Sequence, residues 1–161
     1  MRRSEVDAVI TATPPAEVFD SILQFRRYPE LAPHVQSVQV HKTVPGLAGA
    51  SSWELHFRSG LLRWDETERF LRDQHRLEFE QTSGDFDSFN GYWMLNQDGD
   101  GTRLHFQVDF DFGIDSMAGI LDPIADRVLK ETVAWVIVGM FTDVQLAGDF
   151  EFPKPHEQAM R

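Results

Sequence analysis

Cysteine is absent from the 161-residue chain. That excludes a disulfide framework, a thiolate metal site and a cysteine nucleophile. Basic residues are few: Lys and Arg number 15 against 26 Asp and Glu, a formal charge of −11. Such a surface argues against nucleic-acid binding and against an anionic membrane. No apolar run approaches the roughly 20 residues a bilayer span needs; Val133–Phe141 falls well short. The N-terminus, MRRSEVD, has no apolar h-region, so no signal peptide is visible and a cytoplasmic location is expected. The 6 histidines are scattered, and no His-x-x-x-His pair, phosphate loop or serine elbow occurs, so neither metal nor cofactor is expected. A chain of this length forms one domain with a sizeable core. That domain is placed at residues 1–150, and the tail 151–161, with Pro153 and Pro155, is expected to be a loose end.

The strongest positive signal is the stretch Asp122–Leu146. Asp122 suits a helix cap and Pro123 the first turn, where a missing N–H costs nothing. Leu129, Val133, Val136, Ile137, Met140, Phe141 and Val144 then recur at helical spacing. A helix this apolar must be wrapped. Glu131 interrupts the neighbouring row Ile124–Val128–Trp135–Val138. It is either an edge residue with an i,i+4 partner or a carboxylate facing a polar cavity.

The wrapper precedes it. Val6–Thr11 alternates as a first strand. Thr13, as a cap, and Pro14-Pro15 open a short helix, and Tyr28-Pro29 opens another that ends near His34. Strands follow at Val35–Val44, Ser51–Arg58, Leu61–Leu71, Arg76–Thr82, Phe89–Asn96 and Thr102–Phe112. Turn signals separate them, including Pro45-Gly46, Ser59-Gly60 and Asp98–Gly101. In the last strand Leu104, Phe106, Val108 and Phe110 point one way and Arg103, His105, Gln107 and Asp109 the other. The expected architecture is α+β: a curved seven-stranded antiparallel sheet around one long C-terminal helix, with two short helices between the first two strands. One helix cannot fill such a sheet, so a pocket is expected between them.

This order resembles the START-like (SRPBCC, Bet v 1-like) helix-grip superfamily. The resemblance rests on Tyr28-Pro29 in the second helix, Gly91-x-Trp93 in the sixth strand and Gly101-Thr102-Arg103 before the seventh. Within it, the chain is similar to the polyketide cyclase/dehydrase (aromatase/cyclase) branch and to coenzyme Q-binding START-like proteins. The resemblance implies a cofactor-independent protein that binds a poly-β-ketone or aromatic polyketide and promotes aldol cyclisation and dehydration. The alternative is a non-catalytic carrier of a hydrophobic ligand: a quinone, a lipid or a polyketide. The ligand would arrive free or on an acyl carrier protein, and the protein would be a monomer or homodimer.

The strand Leu61–Leu71 is decisive for the site, and its register is open. A two-residue turn at Ser59-Gly60 puts Trp64 and Glu66 on the face of Leu55 and Phe57. A loop of three residues instead puts Arg63, Asp65, Thr67 and Arg69 there. The resemblance favours the second: the family's cavity pattern Trp-x-Trp-x-Ser-x-Arg matches Arg63-x-Asp65-x-Thr67-x-Arg69. It implies Arg69 as the anchor of ketide oxygens, with Thr67 beside it and Glu131 across from both. Asp65, Glu131 and His34 are then the candidates for acid–base work. By the same resemblance Phe86, Phe89, Trp93 and Phe106 form the walls, and Tyr28, Trp53 and Arg63 complete the ligand-binding set.

Overall fold

The computed structural model describes residues 1–42 and 47–148. Residues of the expected Pro45-Gly46 turn and of the 151–161 tail lie outside that range. Among the described residues eight strands form one antiparallel sheet: β1 (Arg2–Ile10), β2 (Val35–Lys42), β3 (Ala48–Phe57), β4 (Gly60–Leu71), β5 (Arg76–Gly84), β6 (Ser88–Asp98), β7 (Gly101–Asp111) and β8 (Val144–Leu146). Their spatial order is β2-β3-β4-β5-β6-β7-β1-β8. Hairpins link β2 to β7 in sequence, and β1 returns to pair with β7. Two short helices, α1 (Pro15–Ile22) and α2 (Tyr28–Leu31), lie between β1 and β2, and the long helix α3 (Ala118–Met140) lies against the sheet. This is the expected helix-grip arrangement with one strand more.

The eighth strand corrects the expected helix end. Apolar spacing continues to Val144, but the backbone turns extended at Phe141. Val144–Leu146 then pairs with Ala8–Ile10. The edge of β1 has backbone groups that need partners, and this segment supplies them. The helix also begins a turn before Asp122, so Pro123 lies inside it, and the intrahelical bond its N–H would make to the Gly119 carbonyl is not formed. At the other end Gly139 admits Leu31, whose Cδ2 would lie 2.7 Å from an added Cβ. Thr13 is not the cap of α1. Pro14 occupies that position without a side-chain bond, and the Thr13 carbonyl instead accepts the Thr102 hydroxyl at 2.7 Å.

The core follows the period-two pattern. Leu104, Phe106, Val108 and Phe110 are buried from β7, and Val133, Val136 and Ile137 from α3. Trp135 and Phe19 are among the largest fully buried side chains, each worth about 1.5–3 kcal/mol. Gly91 marks a place where strands close without room for a side chain. An added Cβ there would lie 2.1 Å from the Gln107 carbonyl oxygen and 2.9 Å from Val108 Cα. These are backbone atoms paired in the ladder, so they cannot step aside. Gly91→Ala is expected to destabilise the protein by about 1–3 kcal/mol, the range for overpacking a tight site. An unchanged urea midpoint in that variant would show that the sheet yields there.

Candidate functional site

The register of β4 decides the site. Phe57 pairs with Gly60, and Trp53 with Trp64, so the β3–β4 turn is the two residues Arg58-Ser59. Arg58 adopts φ 58° to make it. Leu62, Trp64, Glu66, Glu68 and Phe70 therefore face inward and are buried. Arg63, Asp65, Thr67 and Arg69 face out, against the expectation drawn from the family pattern. Arg69 has a side chain 69% exposed and pairs with Glu78 at 3.2 Å. Arg63 binds Glu54 across the sheet at 2.7 Å. Asp65 accepts the Ser83 hydroxyl at 3.0 Å, and hydroxyl bonds from Ser52 and Ser83 hold its carboxyl below the usual range. The physical reason is plain: Leu62, Trp64 and Phe70 need burial, and a period of two carries every second residue of the strand in with them.

Glu131 is buried, at 4% exposure, but not opposite Arg69. Its carboxyl meets His34 Nε2 at 2.8 Å and accepts from Arg127 Nε at 3.3 Å. Two of the expected acid–base residues thus meet each other between α2 and α3. His34 also packs edge-on against Trp135, with ring centroids 4.7 Å apart. Neither His34 nor Glu131 lines the cavity. Of the two readings of Glu131, the i,i+4 partner is present in Arg127, while the carboxyl does not face the cavity.

The cavity lies between α3 and the sheet. Trp53, Trp64, Phe89, Trp93 and Phe106 line its sheet side, Tyr28 its α2 side, and Leu129, Thr132 and Val133 its α3 side. Of the expected walls, only Phe86 is set back; it stacks on Phe89 at 4.6 Å and on Phe112 at 5.0 Å. About 60 Å³ is open to the centre of a water-sized sphere. That is below the ~300 Å³ at which sites for drug-sized ligands begin, so a ligand of one or two rings requires the wall to yield. Tyr28 is held in place: its hydroxyl donates to the Ile22 carbonyl at 2.7 Å. Burial, with Glu66 and Glu68 nearby, pushes its phenol well above the usual range.

Glu66 brings the one carboxyl to this lining, and no cation lines it among the described residues. Glu66 is 6% exposed and Glu68 1%. Trp64 Nε1 donates to Glu66 Oε1 at 2.8 Å. On the far side, Trp53 Nε1 donates to the Ser51 hydroxyl at 2.8 Å, which donates to Glu68 Oε2 at 2.7 Å. Glu68 Oε1 is the one buried side-chain polar atom without a partner among the described residues. Two carboxylates offer each other only acceptors, so neither can satisfy the other while both are ionised. Burial, then the hydrogen bond to Glu68 and its charge, push the Glu66 carboxyl well above the usual range, against the pull of the Trp64 N–H. Glu68 was outside every expectation, and Glu66 appeared only in the register not favoured. The signal available was the run Leu62-x-Trp64-x-Glu66-x-Glu68-x-Phe70 itself, a strand face apolar at both ends and acidic in the middle.

Outside the cavity, Glu5, Asp7 and His105 bring ligand-type atoms within 4.8 Å of one another on the outer face. His105 Nδ1 is engaged with Asp7 at 2.7 Å.

A family model described as polyketide cyclase / dehydrase and lipid transport matches residues 11–136. The chain belongs to this family. No curated protein sequence matches it significantly. Among solved structures, TTHA0849 from Thermus thermophilus superposes with TM-score 0.76 at 23% identity, over 86% of this chain and 94% of that one. The Zhui aromatase/cyclase from Streptomyces sp. R1128 gives 0.75 at 14% identity, over 86% and 93%. A START superfamily protein from Mycobacterium smegmatis gives 0.68 at 13% identity, over 86% and 94%. At such identities these likenesses establish the fold alone. This polyketide cyclase / dehydrase family member differs from the expected site pattern in one respect that matters chemically: its cavity strand offers carboxyls, not an arginine. Among the described residues no helix is long and apolar enough to cross a membrane.

Proposed function

We propose that the protein binds a compact polyketide, or the aromatic ring system formed from one, in the cavity between α3 and the sheet, and promotes its cyclisation and dehydration without a cofactor. The observation that carries this reading is the lining: aromatic on the sheet side, with a single carboxyl and no cation among the described residues. Aromatic faces suit flat, polarisable ligands. A lining without a cation favours a neutral ligand over a fatty acid or a phosphate ester, because an anion beside Glu66 would be buried without a partner. Holding a reactive chain in one fold is itself worth much of a ring closure, since positioned partners react as though at very high concentration. The substrate would arrive free or on an acyl carrier protein, with α3 yielding to admit it. Family membership and the aromatase/cyclase fold relative support the general class.

Three of the 4 tryptophans, Trp53, Trp64 and Trp93, line the cavity, so binding is directly observable. Titration with a naphthoquinone or a naphthol is expected to quench the tryptophan emission and to saturate at one ligand per chain. A reconstituted polyketide synthase run with and without the protein is expected to shift from shunt products to one cyclised product. Quenching without a change in product profile would favour the second reading, a carrier. The absence of both would remove the cavity from consideration.

A further inference from the structure

We propose that Glu66 is the acid–base residue of the cavity, with Glu68 as its positioning partner, and that the pair serves the loss of water from a β-hydroxy ketone. The inference rests on the cavity being the ligand site. Glu66 reaches the lining, while Glu68 lies behind it, fixed by Ser51 and through it by Trp53. Glu66 Oε1 is occupied by the Trp64 indole, which leaves the other oxygen to carry a proton. Glu68 Oε1 has no donor among the described residues unless Glu66 provides one. Gly49 makes room for that oxygen: a Cβ there would stand 2.9 Å from it. Burial and the neighbouring Glu68 favour the protonated form of this carboxyl at the ligand wall, the form a general acid needs.

The step balances without a co-reactant. Glu66 gives its proton to the β-hydroxyl, and the carbon–oxygen bond breaks with its electron pair leaving as water. The α-carbon loses its proton to the Glu66 carboxylate, and the electrons of that bond form the new double bond. Glu66 ends protonated, as it began. In a ring that already carries the remaining unsaturation, tautomerisation then completes an aromatic phenol. Glu68 touches no ligand. Its part is to keep the proton on Glu66 between turnovers.

The probe is a bicyclic hydroxytetralone whose hydroxyl is β to the ketone, because loss of water converts it to a fluorescent naphthol. The wild-type protein is expected to bind it with tryptophan quenching and to accelerate naphthol formation. Glu66→Gln should bind about as well and lose about 10²–10⁴-fold in rate, the span of general acid–base catalysis. Glu68→Gln should keep the reaction but move the basic limb of the pH–rate profile toward acid, since the neighbouring charge that favours the protonated form is gone. Infrared spectra of the carboxyl-labelled protein at neutral pH should show a protonated carboxyl band that Glu66→Gln removes. Absence of binding by the wild type would overturn the ligand site itself. Binding without turnover, or turnover unchanged in Glu66→Gln, would overturn the role of Glu66 and leave the ligand site standing. A missing infrared band would overturn the proton assignment whatever the assay reads.

Discussion

Raising the pH from about 5 to about 8 is expected to weaken the fold, at up to about 1.4 kcal/mol for each pH unit in which Glu66 holds a proton that the unfolded chain has lost. The direction follows from burial. In the unfolded chain Glu66 has an ordinary value near 4.5, while in the folded state it lies well above. Its contribution is therefore fully present below the ordinary value and lost as the pH rises through the folded one. Carboxyls held low, such as Glu54 and Asp111, act in the opposite sense. Their contribution is complete above the ordinary carboxylate range and lost only on acidification, so the two windows do not overlap. Glu66→Gln removes the titration and should flatten the dependence between about pH 5 and 8. Urea unfolding at a series of pH values measures both proteins. Curves that fall in parallel would mean that the proton is not on Glu66.

Filling the cavity should abolish binding and leave the fold. Leu129 projects into it from α3, and Leu129→Trp is expected to occupy the space a ligand needs. Overpacking costs about 1–3 kcal/mol, which a domain of ordinary stability survives. Affinity for a naphthoquinone should fall at least about 100-fold, since about 2.7 kcal/mol of contact and shape complementarity is lost. Arg69→Ala provides the contrast. That side chain is exposed on the outer face beside Glu78, so neither binding nor turnover should change. Binding that survives Leu129→Trp but fails in Arg69→Ala would move the site to the outer face of the sheet.

Most of the fold was legible because burial imposes periods. The alternation of β7, Leu104 to Phe110, gave the face of that strand correctly, and the apolar stripe of α3 gave the wrapped helix. The boundaries were less legible. Nothing in Val144–Leu146 separates a last helical turn from a short edge strand; the difference is the free edge of β1, a tertiary fact. The β4 face is legible in the apolar residues, and the family pattern misplaces it for a definable reason. Leu62, Trp64 and Phe70 share one face, and their burial outweighs a match of polar residues to a family pattern displaced by one position. The same displacement hid Glu66 and Glu68, because carboxyls next to exposed Arg63 and Arg69 read as a charged surface. What no pattern could show is that Glu68 is left with one unpartnered oxygen while Ser51 holds the other, since that requires the coordinates.

A flat neutral ligand is expected to lie in the cavity with an oxygen against Glu66. A crystal structure with a bound naphthol tests it most directly. The ring system is expected between Trp93 and Phe106 on one side and Leu129 on the other, with α3 displaced outward and the hydroxyl oxygen within hydrogen-bond distance of the Glu66 carboxyl. A naphthol on the outer face of the sheet beside Arg69, or in the cavity with its oxygen turned away from Glu66, would contradict it.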